Sequence, residues 1–279
     1  MTGAPRPALR AKKSLGQHFL RDRGVLERIV RAAALGPADN VLEIGAGDGT
    51  LTAPLAARAG RVVALETDRG RVPRLRERFP AGGAVDVVEA DVLAYDLGQL
   101  RPLAPLKAVA NLPYNIATAV LERLLSARGM FTLLVLMFQH EVARRLVARP
   151  GDRAYGSLSV ATAYRAEASL VFTVPRTAFS PPPAVESAVV RLVPRAEPLL
   201  PPAEEALLER LVRGGFAHRR KTFLNSLARS GAGIPAAPAA AALAARGIDL
   251  RARAEAISLE EYLELARLLA SAPHDTPHP

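Results

Sequence analysis

Three glycines at alternate positions follow a short apolar run and one acidic residue. The stretch is VLEIGAGDGTLT, residues 41–52, with glycines at positions 45, 47 and 49. The apolar run predicts a buried strand, and the glycines allow a tight turn whose backbone approaches a ligand that a Cβ atom would exclude. The next apolar run ends on Glu66, near the spacing at which a carboxylate accepts hydrogen bonds from a ribose diol. Gly45, Gly47 and Glu66 are therefore predicted to bind a nucleotide-like cofactor.

The pattern of glycines bears on the class of cofactor. A glycine-rich turn by itself can be a plain turn without a ligand, and Glu66 is what favours a cofactor site. In the ExGxGxG pattern the third glycine lies one residue closer to the second than in the dinucleotide pattern GxGxxG, in which a helix N-terminus receives a pyrophosphate. It resembles the motif of S-adenosylmethionine (SAM) methyltransferases, which implies SAM as the cofactor. A dehydrogenase is the alternative.

The sequence NLPY, residues 111–114, follows a later apolar run and suits chemistry on an aromatic amine. The exocyclic N6 of adenine is a weak nucleophile because its lone pair is delocalised into the ring. A methylating site must hold both N–H groups while the nitrogen becomes pyramidal, and the Asn111 side-chain oxygen and the Pro113 carbonyl could accept them without a titrating base. Tyr114 could stack on the extruded base. The alternative is a strand-to-helix turn, with Pro113 fixing φ and Asn111 acting as a cap.

Two further segments carry candidates for the same site. Phe179 lies in VPRTAFSPPPAVESAVV, residues 174–190, where three prolines would lock the loop that presents it to the other face of the base; the alternative is a buried anchor. Near the N-terminus, KKSLGQHFL places Gln17 and His18 between a basic run and a helix predicted over residues 24–35. That helix should cover the cofactor strand, which favours cofactor contacts over ordinary surface positions for this pair.

The elements that must position these residues alternate along the chain. Strands are predicted at 41–44, 62–66, 84–89, 107–110 and 131–138, and amphipathic helices near 51–59, 70–78, 115–127 and 140–148. Such alternation predicts an α/β, Rossmann-like fold with a mostly parallel sheet and helices on both faces. Its ligand lies at the carboxyl ends of the strands, where Gly45, Glu66, Asp91 and Asn111 fall. Asp91 could accept a hydrogen bond from the cofactor's adenine amino group, or could simply cap a helix.

A proline-rich segment, PRAEPLLPP at residues 194–202, is typical of a linker between two domains. Residues 1–194 are predicted to form the methyltransferase domain with a basic N-terminal arm, and residues 203–279 a small helical C-terminal domain. Helices of the second domain are predicted at 203–213, 221–229, 236–245 and 258–271, the last opened by a Ser258–Glu261 capping box.

Clustered cations identify candidate RNA contacts. RGGFAHRRK, residues 213–221, holds four cations and no acid, and the N-terminal arm is basic as well. Lys and Arg side chains grouped in this way can neutralise RNA phosphates. The predicted RNA-binding residues are Lys12, Lys13, Arg219, Arg220 and Lys221, with a solvated charged face as the alternative.

Composition agrees with a polyanionic partner. The 37 Lys and Arg residues exceed the 27 Asp and Glu residues, for a net charge of +10, although mutational bias could also enrich Arg, Ala and Pro. The absence of cysteine excludes disulfides and thiolate metal sites, and no metal is predicted. The longest uncharged apolar run, Phe131–Phe138, is too short for a membrane span, and the basic N-terminus has no apolar signal core. A cytoplasmic protein with a disordered first eleven residues is expected.

Taken in order over nearly the whole chain, these motifs resemble those of the small-subunit (16S) ribosomal RNA adenine N6-dimethyltransferases. The resemblance rests on SLGQHFL, LEIGAGDGTLT, Glu66, Asp91, NLPYNIAT, FSPPPAVESAVV and FAHRRKTFLNSL. It implies a SAM-dependent enzyme that dimethylates two adjacent adenines in the 3′-terminal hairpin of 16S rRNA, within the 30S subunit or its late precursor. A monomer is expected. The resemblance places SAM against His18, Leu20, Gly45, Glu66, Asp91 and Asn111, and the target adenine against Asn111, Leu112, Pro113, Tyr114 and Phe179.

One position departs from the family pattern, because Ala184 stands where relatives usually carry Lys, so the resemblance does not carry a phosphate contact over to this position. Antibiotic-resistance enzymes that modify one adenine of large-subunit rRNA share NLPY-type loops, but RRKTFLNSL favours the small-subunit branch. Two other classes stay open: a non-catalytic rRNA-binding assembly factor, and a methyltransferase acting on DNA or protein. The intact NLPY and cofactor carboxylates argue against the first, and the lack of a separate sequence-reading module argues against the second.

Overall fold

The computed structural model describes residue 12 and residues 16–271. Its strands are β1 Phe19–Leu20, β2 Asn40–Ile44, β3 Arg61–Glu66, β4 Val85–Glu89, β5 Leu106–Asn111, β6 Phe131–Gln139, β7 Ala166–Val174, β8 Phe179–Ser180 and β9 Ser187–Pro194. Its helices are α1 Arg23–Ala32, α2 Thr52–Ala56, α3 Val72–Arg78, α4 Ala117–Ser126, α5 His140–Val147, α6 Ser157–Arg165, α7 Pro202–Gly215, α8 Phe223–Arg229, α9 Ala236–Ala245 and α10 Leu259–Ser271. The predicted disorder of residues 1–11 and the predicted RNA contact at Lys13 lie outside the described residues.

Seven of the strands form one sheet in the order β4-β3-β2-β5-β6-β9-β7. The pairs from β4 through β6 are parallel, and β9 is antiparallel to β6. The predicted α/β fold class with a mostly parallel sheet is therefore confirmed. Strand β2 lies between β3 and β5 with almost every side chain buried, and its sequence is accordingly apolar apart from Asn40 at its start and Glu43.

Helix α1 shows why the segment after the N-terminal arm is helical. The side chain of Asp22 accepts a hydrogen bond from the backbone N–H of Val25 at 2.9 Å, which satisfies a donor at the start of the helix. Its apolar residues recur on one face, where Val25 and Ile29 are buried and join Val41 of β2 in one core cluster. The helix predicted to cover the cofactor strand therefore does so.

Two glycines of the turn after β2 are required by their surroundings. Gly47 has a φ of +59°, and a Cβ atom there would lie 3.1 Å from the Phe19 ring. Gly49 has a φ of +74°, and its Cβ would lie 2.6 Å from the Phe79 ring. Larger residues would be strained by the backbone at both positions, would collide with the Phe79 ring at Gly49 and would force the Phe19 ring to shift slightly at Gly47.

A two-stranded sheet joins the N-terminal segment to the proline-rich loop. In this sheet β1 pairs antiparallel with β8, with Phe19 opposite Ser180 and Leu20 opposite Phe179. The backbone N–H of Arg21 also donates to the Ala178 carbonyl at 2.8 Å. The pairing fixes which side chains of each segment are buried, and this decides two of the predicted site residues below.

The chain separates into two compact units. Of the described residues, the first unit contains those up to Ala143 together with Glu167–Ala196, and the second contains Arg144–Ala166 together with residues 197–271. The division differs from the predicted domains in one respect, because residues 144–166 belong to the second unit. The reason is packing: Tyr155, Val160 and Tyr164 are buried in the same core cluster as the C-terminal helices.

The second unit is helical, with an aromatic centre. Tyr262 packs edge-on against Phe223, with ring centroids 5.8 Å apart. Helix α10 starts with the predicted capping box, in which the N–H of Ser258 donates to Glu261 and the N–H of Glu261 donates to the Ser258 hydroxyl. No helix among residues 16–271 combines the length and apolarity that crossing a membrane would require.

Candidate active site

A cavity of about 200 Å³ lies in the first unit at the carboxyl ends of β2, β3 and β5. Ten of the predicted site residues line it: Gln17, His18, Gly45, Gly47, Glu66, Asp91, Asn111, Leu112, Pro113 and Tyr114. The glycine turn and NLPY, which are far apart in sequence, therefore form walls of one site. Two predicted residues, Leu20 and Phe179, do not line this cavity.

Glu66 is almost fully buried, and backbone donors hold its carboxylate. Its Oε2 accepts from the N–H of Gly47 at 2.6 Å, and its Oε1 accepts from the N–H of Asp68 at 2.8 Å. A carboxylate oxygen can accept more than one hydrogen bond. The fixed carboxylate therefore has acceptor capacity left for a pair of neighbouring hydroxyl groups.

Asp91 also combines a local bond with a position on the cavity. Its Oδ1 accepts from the backbone N–H of Leu93 at 2.9 Å, as expected for the alternative role of capping a turn. The neighbouring Leu93 lines the same cavity and exposes 37% of its surface. An acidic acceptor beside an exposed apolar side chain can bind one edge and one face of a heterocyclic base.

The amide of Asn111 is oriented by a backbone carbonyl. Its Nδ2 donates to the carbonyl oxygen of His18 at 3.0 Å. A carbonyl can only accept, so this contact fixes which end of the amide is nitrogen and leaves Oδ1 as an acceptor. The Pro113 carbonyl accepts from the N–H of Ile116 at 3.2 Å and keeps a second lone pair. The NLPY turn thus supplies two acceptors that do not titrate.

The Tyr114 ring is stacked with the His18 ring, with centroids 5.8 Å apart and an interplanar angle of 23°. His18 Nδ1 lies 2.9 Å from the Pro181 carbonyl oxygen, so it must be the protonated nitrogen in this contact. Burial raises the pKa of the Tyr114 phenol, whose oxygen lies 2.6 Å from the Ser187 hydroxyl. The tyrosine is therefore a neutral aromatic surface at neutral pH.

Phe179 was predicted to stack on the target base, but in the structure it takes the alternative position of a buried anchor. It is only 4% exposed and belongs to the core cluster of the first unit. Leu20, predicted to contact the cofactor, is 5% exposed and belongs to the same cluster. The cause is the β1–β8 pairing, which sets Leu20 opposite Phe179 with both side chains in the core.

Gln17 lines the cavity, but its amide is occupied elsewhere. Its Nε2 donates to Asp68 at 3.1 Å, and its Oε1 accepts from the backbone N–H of Lys12 at 2.9 Å. Lys12 Nζ, predicted to bind RNA, donates to Asp68 at 2.6 Å. Burial opposes ionisation of Asp68, but the bonds from Lys12 and Gln17 outweigh it and lower its pKa below the usual value. Asp68 therefore attaches the N-terminal segment to the cavity rim.

Sequence reasoning missed Phe19, which lines the cavity, and two residues that hold lining residues in place, Asp68 at Gln17 and Arg71 at Phe19. Arg71 is 1% exposed, forms ion pairs with Asp48 and Asp68, and lies over the Phe19 ring at 4.0 Å. Its sequence context is that of a surface helix, so nothing local indicates burial. The one available signal was the pair of acids at positions 48 and 68, each close to a cofactor motif.

A buried acid lies behind the glycine turn. Glu43 lines a second cavity of about 30 Å³ together with Gly45, Gly47 and Asn111, which also line the first. Its Oε2 has no hydrogen-bond partner among the described residues. Burial raises the pKa of Glu43 to about 8, and nearby Glu66 adds to the shift. Glu43 is thus protonated at neutral pH.

In the second unit the predicted cations lie together. A surface cavity of about 230 Å³ is lined by His218, Arg219, Arg220, Lys221 and Arg229. Two backbone hydrogen bonds link this loop to other basic segments. Phe223 N–H, just after the loop, donates to the Ala252 carbonyl at 2.8 Å, and the segment that contains Ala252 is linked in turn to Gly151, whose N–H donates to the Glu255 carbonyl at 3.1 Å. These loops add Arg149, Arg153, Arg251 and Arg253.

Comparison with known proteins agrees with the predicted resemblance. The "Ribosomal RNA small subunit methyltransferase A" of Pelotomaculum thermopropionicum is 45% identical over 271 residues, covering 94% of this chain and 92% of the relative. The protein of the same name from Geobacter sulfurreducens is 43% identical, covering 95% of this chain and 97% of the relative.

Two solved structures are also similar over most of the chain. A dimethyladenosine transferase from Plasmodium falciparum is 27% identical with a TM-score of 0.77, covering 89% of this chain and 96% of that one. The 23S rRNA methyltransferase ErmE is 34% identical with a TM-score of 0.72, covering 91% and 100%. The family model of ribosomal RNA adenine dimethylases matches residues 8–271. Since this match and the 45% identity both extend over nearly the whole sequence, the chain belongs to the ribosomal RNA adenine dimethylase family.

Proposed function

We propose that this protein dimethylates N6 of two adjacent adenines in the 3′-terminal hairpin of 16S rRNA, with SAM as the methyl donor. Family membership supports the reaction, and relatives named for the small ribosomal subunit at 42–45% identity support the substrate. The observation that carries the proposal is the oriented amide of Asn111, whose free acceptor shares a cavity with the Glu66 carboxylate.

The residues of the cavity fit SAM. Glu66 offers a carboxylate, fixed by two backbone N–H groups, for the ribose hydroxyls. Asp91 and Leu93 offer an acceptor and an apolar face for the adenine. Gly45 and Gly47 leave the turn without side chains, and a Cβ at Gly47 would reach the Phe19 ring. When bound, SAM supplies an electrophilic methyl group.

The NLPY turn would act on the target adenine by holding it. Asn111 Oδ1 and the Pro113 carbonyl accept the two N6–H groups, which directs the nitrogen lone pair out of the base plane. Tyr114 stacks on the base after it leaves its helix or loop, and Leu112, buried beneath the turn, keeps the backbone in place. After transfer the acidic ammonium loses its proton to water, so no side chain needs to act as a base.

The second unit would bind the rRNA. Three loops of this unit that are joined by backbone hydrogen bonds carry the Arg and Lys side chains described above. Phosphate contacts made by such side chains supply affinity without reading sequence. The proposed partner is the 30S subunit or its late precursor, which places the reaction in the cytoplasm. The protein is proposed to act as a monomer. Lys12 contributes less, since it already pairs with Asp68.

The test is incubation with isotopically labelled SAM and ribosomal subunits that lack the modification, followed by mapping of the labelled nucleotides. Label on two adjacent adenines of the 16S 3′-terminal hairpin is expected. Label on a large-subunit adenine would favour the reaction of the antibiotic-resistance enzymes instead. Absence of label with intact binding would favour a non-catalytic assembly factor.

A further inference from the structure

The hydroxyl group of Tyr114 is held by a residue to which the proposed function gives no role. Tyr114 Oη and Ser187 Oγ lie 2.6 Å apart, and Ser187, the first residue of β9, has 0% exposure. Either hydroxyl can be the donor, because both are protonated at neutral pH. A buried hydroxyl with a single side-chain partner is restrained by that partner.

The Tyr114 ring has restraints at both its face and its tip. Its face is stacked with the His18 ring, which the Pro181 carbonyl holds through Nδ1. Its tip is bonded to Ser187. Both restraints depend on the segment from Pro181 to Ser187, because Pro181 holds His18 and Ser187 holds Tyr114. The β1–β8 pairing joins this segment to the residues next to His18. The backbone of NLPY fixes the Cα atom and the His18 stack sets the plane of the ring, so Ser187 is what fixes the position of the ring tip.

We infer that Ser187 is a positioning residue for methyl transfer, whose hydroxyl fixes the Tyr114 ring in the orientation that receives the target adenine. This inference rests on the proposed function, in which Tyr114 stacks on that base. Ser187 does not line the cavity, so it acts through Tyr114 and not on the substrate. Phe179 of the FSPPPAVES segment is buried in the core and does not stack on the base in this structure. The contribution of the segment to the site is then made by its serine, Ser187, through Tyr114.

The size of the effect follows from the geometry of transfer. A ring free at its tip can still stack, but it no longer holds the base with N6 in line with the methyl donor. Reaction rates fall steeply when the reacting atoms are misplaced, and one lost hydrogen bond changes an equilibrium by roughly tenfold or less. About a tenfold loss in the transfer step is therefore expected, with SAM affinity unchanged.

The test compares Ser187→Ala, Tyr114→Phe and the double variant in single-turnover transfer to unmodified small subunits at saturating SAM. Each single variant is expected to be about tenfold slower, and the double variant no slower than either, because all three lack the same bond. Ser169→Ala is the matched control. Among the described residues, its hydroxyl on β7 forms a single hydrogen bond, to the Arg191 carbonyl at 3.5 Å, so the rate should not change.

A second measurement reports on the ring without any transfer. In protein with isotope-labelled tyrosine, Ser187→Ala should shift the NMR signals of the Tyr114 ring more than those of the other four of the five tyrosines. Losses that multiply to about a hundredfold in the double variant, or a normal rate for Ser187→Ala, would overturn the inference. If the unaltered protein transfers no methyl group to small subunits, the proposed function fails instead, and the Tyr114 signals still show whether Ser187 orients the ring.

Discussion

The two walls of the cavity are held in place by different kinds of bond. In the glycine wall, formed by Gly45, Gly47 and Glu66, backbone N–H groups of Gly47 and Asp68 fix the Glu66 carboxylate. In the NLPY wall, residues 111–114, a carbonyl of His18 and the hydroxyl of Ser187 hold Asn111 and Tyr114. The first wall is built from neighbouring strands, and the second depends on segments from both ends of the first unit.

This difference separates binding from reaction. A carboxylate fixed by backbone donors keeps its place whatever the distant side chains are, which suits a cofactor that must bind before every transfer. Side chains fixed by remote segments give finer control of orientation, and orientation is what a weak amine nucleophile requires. Changes in the glycine wall should therefore affect SAM affinity, and changes in the NLPY wall should affect the transfer rate.

The largest effect is expected in the NLPY wall. Asn111→Ala removes one of the two proposed N6 acceptors, and loss of a fixed hydrogen-bonding group of this kind slows reactions by roughly a hundred- to a thousandfold. Single-turnover transfer measures the loss, while calorimetry should find SAM affinity within a fewfold of the unaltered protein. A variant that keeps more than a tenth of the rate would show that Asn111 does not hold the reacting nitrogen.

The next largest effect is expected in the glycine wall. Glu66→Ala removes a charged acceptor for the ribose hydroxyls, and hydrogen bonds to charged groups are strong enough to predict roughly a hundredfold loss in SAM affinity. Glu89→Ala is the matched control, because Glu89 is the register partner of Glu66 on β4 and does not line the cavity. Equal affinities of the two variants in calorimetric titration would refute the ribose assignment.

The same contrast explains what the sequence could predict. The glycine wall follows from local patterns: an apolar strand, a glycine turn, and a second strand ending on Glu66, all within about thirty residues. Strands up to residue 138 and the α/β fold were predicted for the same reason and are confirmed. Asn111, Pro113 and Tyr114 were found because NLPY is a compact motif, and they do line the cavity.

What the sequence could not predict depends on pairing between distant segments. The burial of Phe179 and Leu20 follows from β1–β8 pairing across about 160 residues, for which two-residue strands give no periodic signal. Arg71 can be buried because two acids and an aromatic ring surround its guanidinium. The periodicity of the predicted helix does not indicate any of these contacts. Residues 144–166, predicted within the first domain, pack with the second compact unit, because apolar faces indicate burial but not the unit against which a segment packs.

A region outside both walls should change neither SAM affinity nor the chemical step. Replacing Arg219, Arg220 and Lys221 by Ala is expected to weaken binding to the small subunit about tenfold at moderate salt, and to reduce the log–log salt slope by about 0.7 to 0.9 per lost phosphate contact. Filter binding at two salt concentrations measures both quantities. A charge-matched control replaces Arg58, Arg76 and Arg101, exposed residues of the first unit. Equal weakening by both triple variants would show that binding depends on net charge and not on these three positions.

The smallest effect expected is that of pH on the transfer step. The acceptors of the NLPY wall are an amide and a carbonyl, and burial raises the pKa of Tyr114 further above neutrality, so no group that contacts the base titrates. Transfer at saturating substrates should change less than threefold between pH 6 and 8. A tenfold change per pH unit that follows a single ionisation would show that a side chain acts as a base.

Glu43 makes this pH prediction sharper, because it should titrate in the same range and affect stability instead. Its pKa of about 8 lies above the ordinary value of 4.5, so the folded state binds the proton more tightly than the unfolded chain. The resulting stabilisation is complete below about pH 4.5 and decreases by about 1.4 kcal/mol per pH unit until about pH 8. Asp68 does not interfere, since its pKa is lowered and its contribution is lost only under more acidic conditions.

Glu43→Gln should therefore remove about one proton from the pH dependence of urea unfolding between pH 5 and 8 while the flat rate profile persists. An unchanged unfolding profile would mean that Glu43 is ionised in the folded protein.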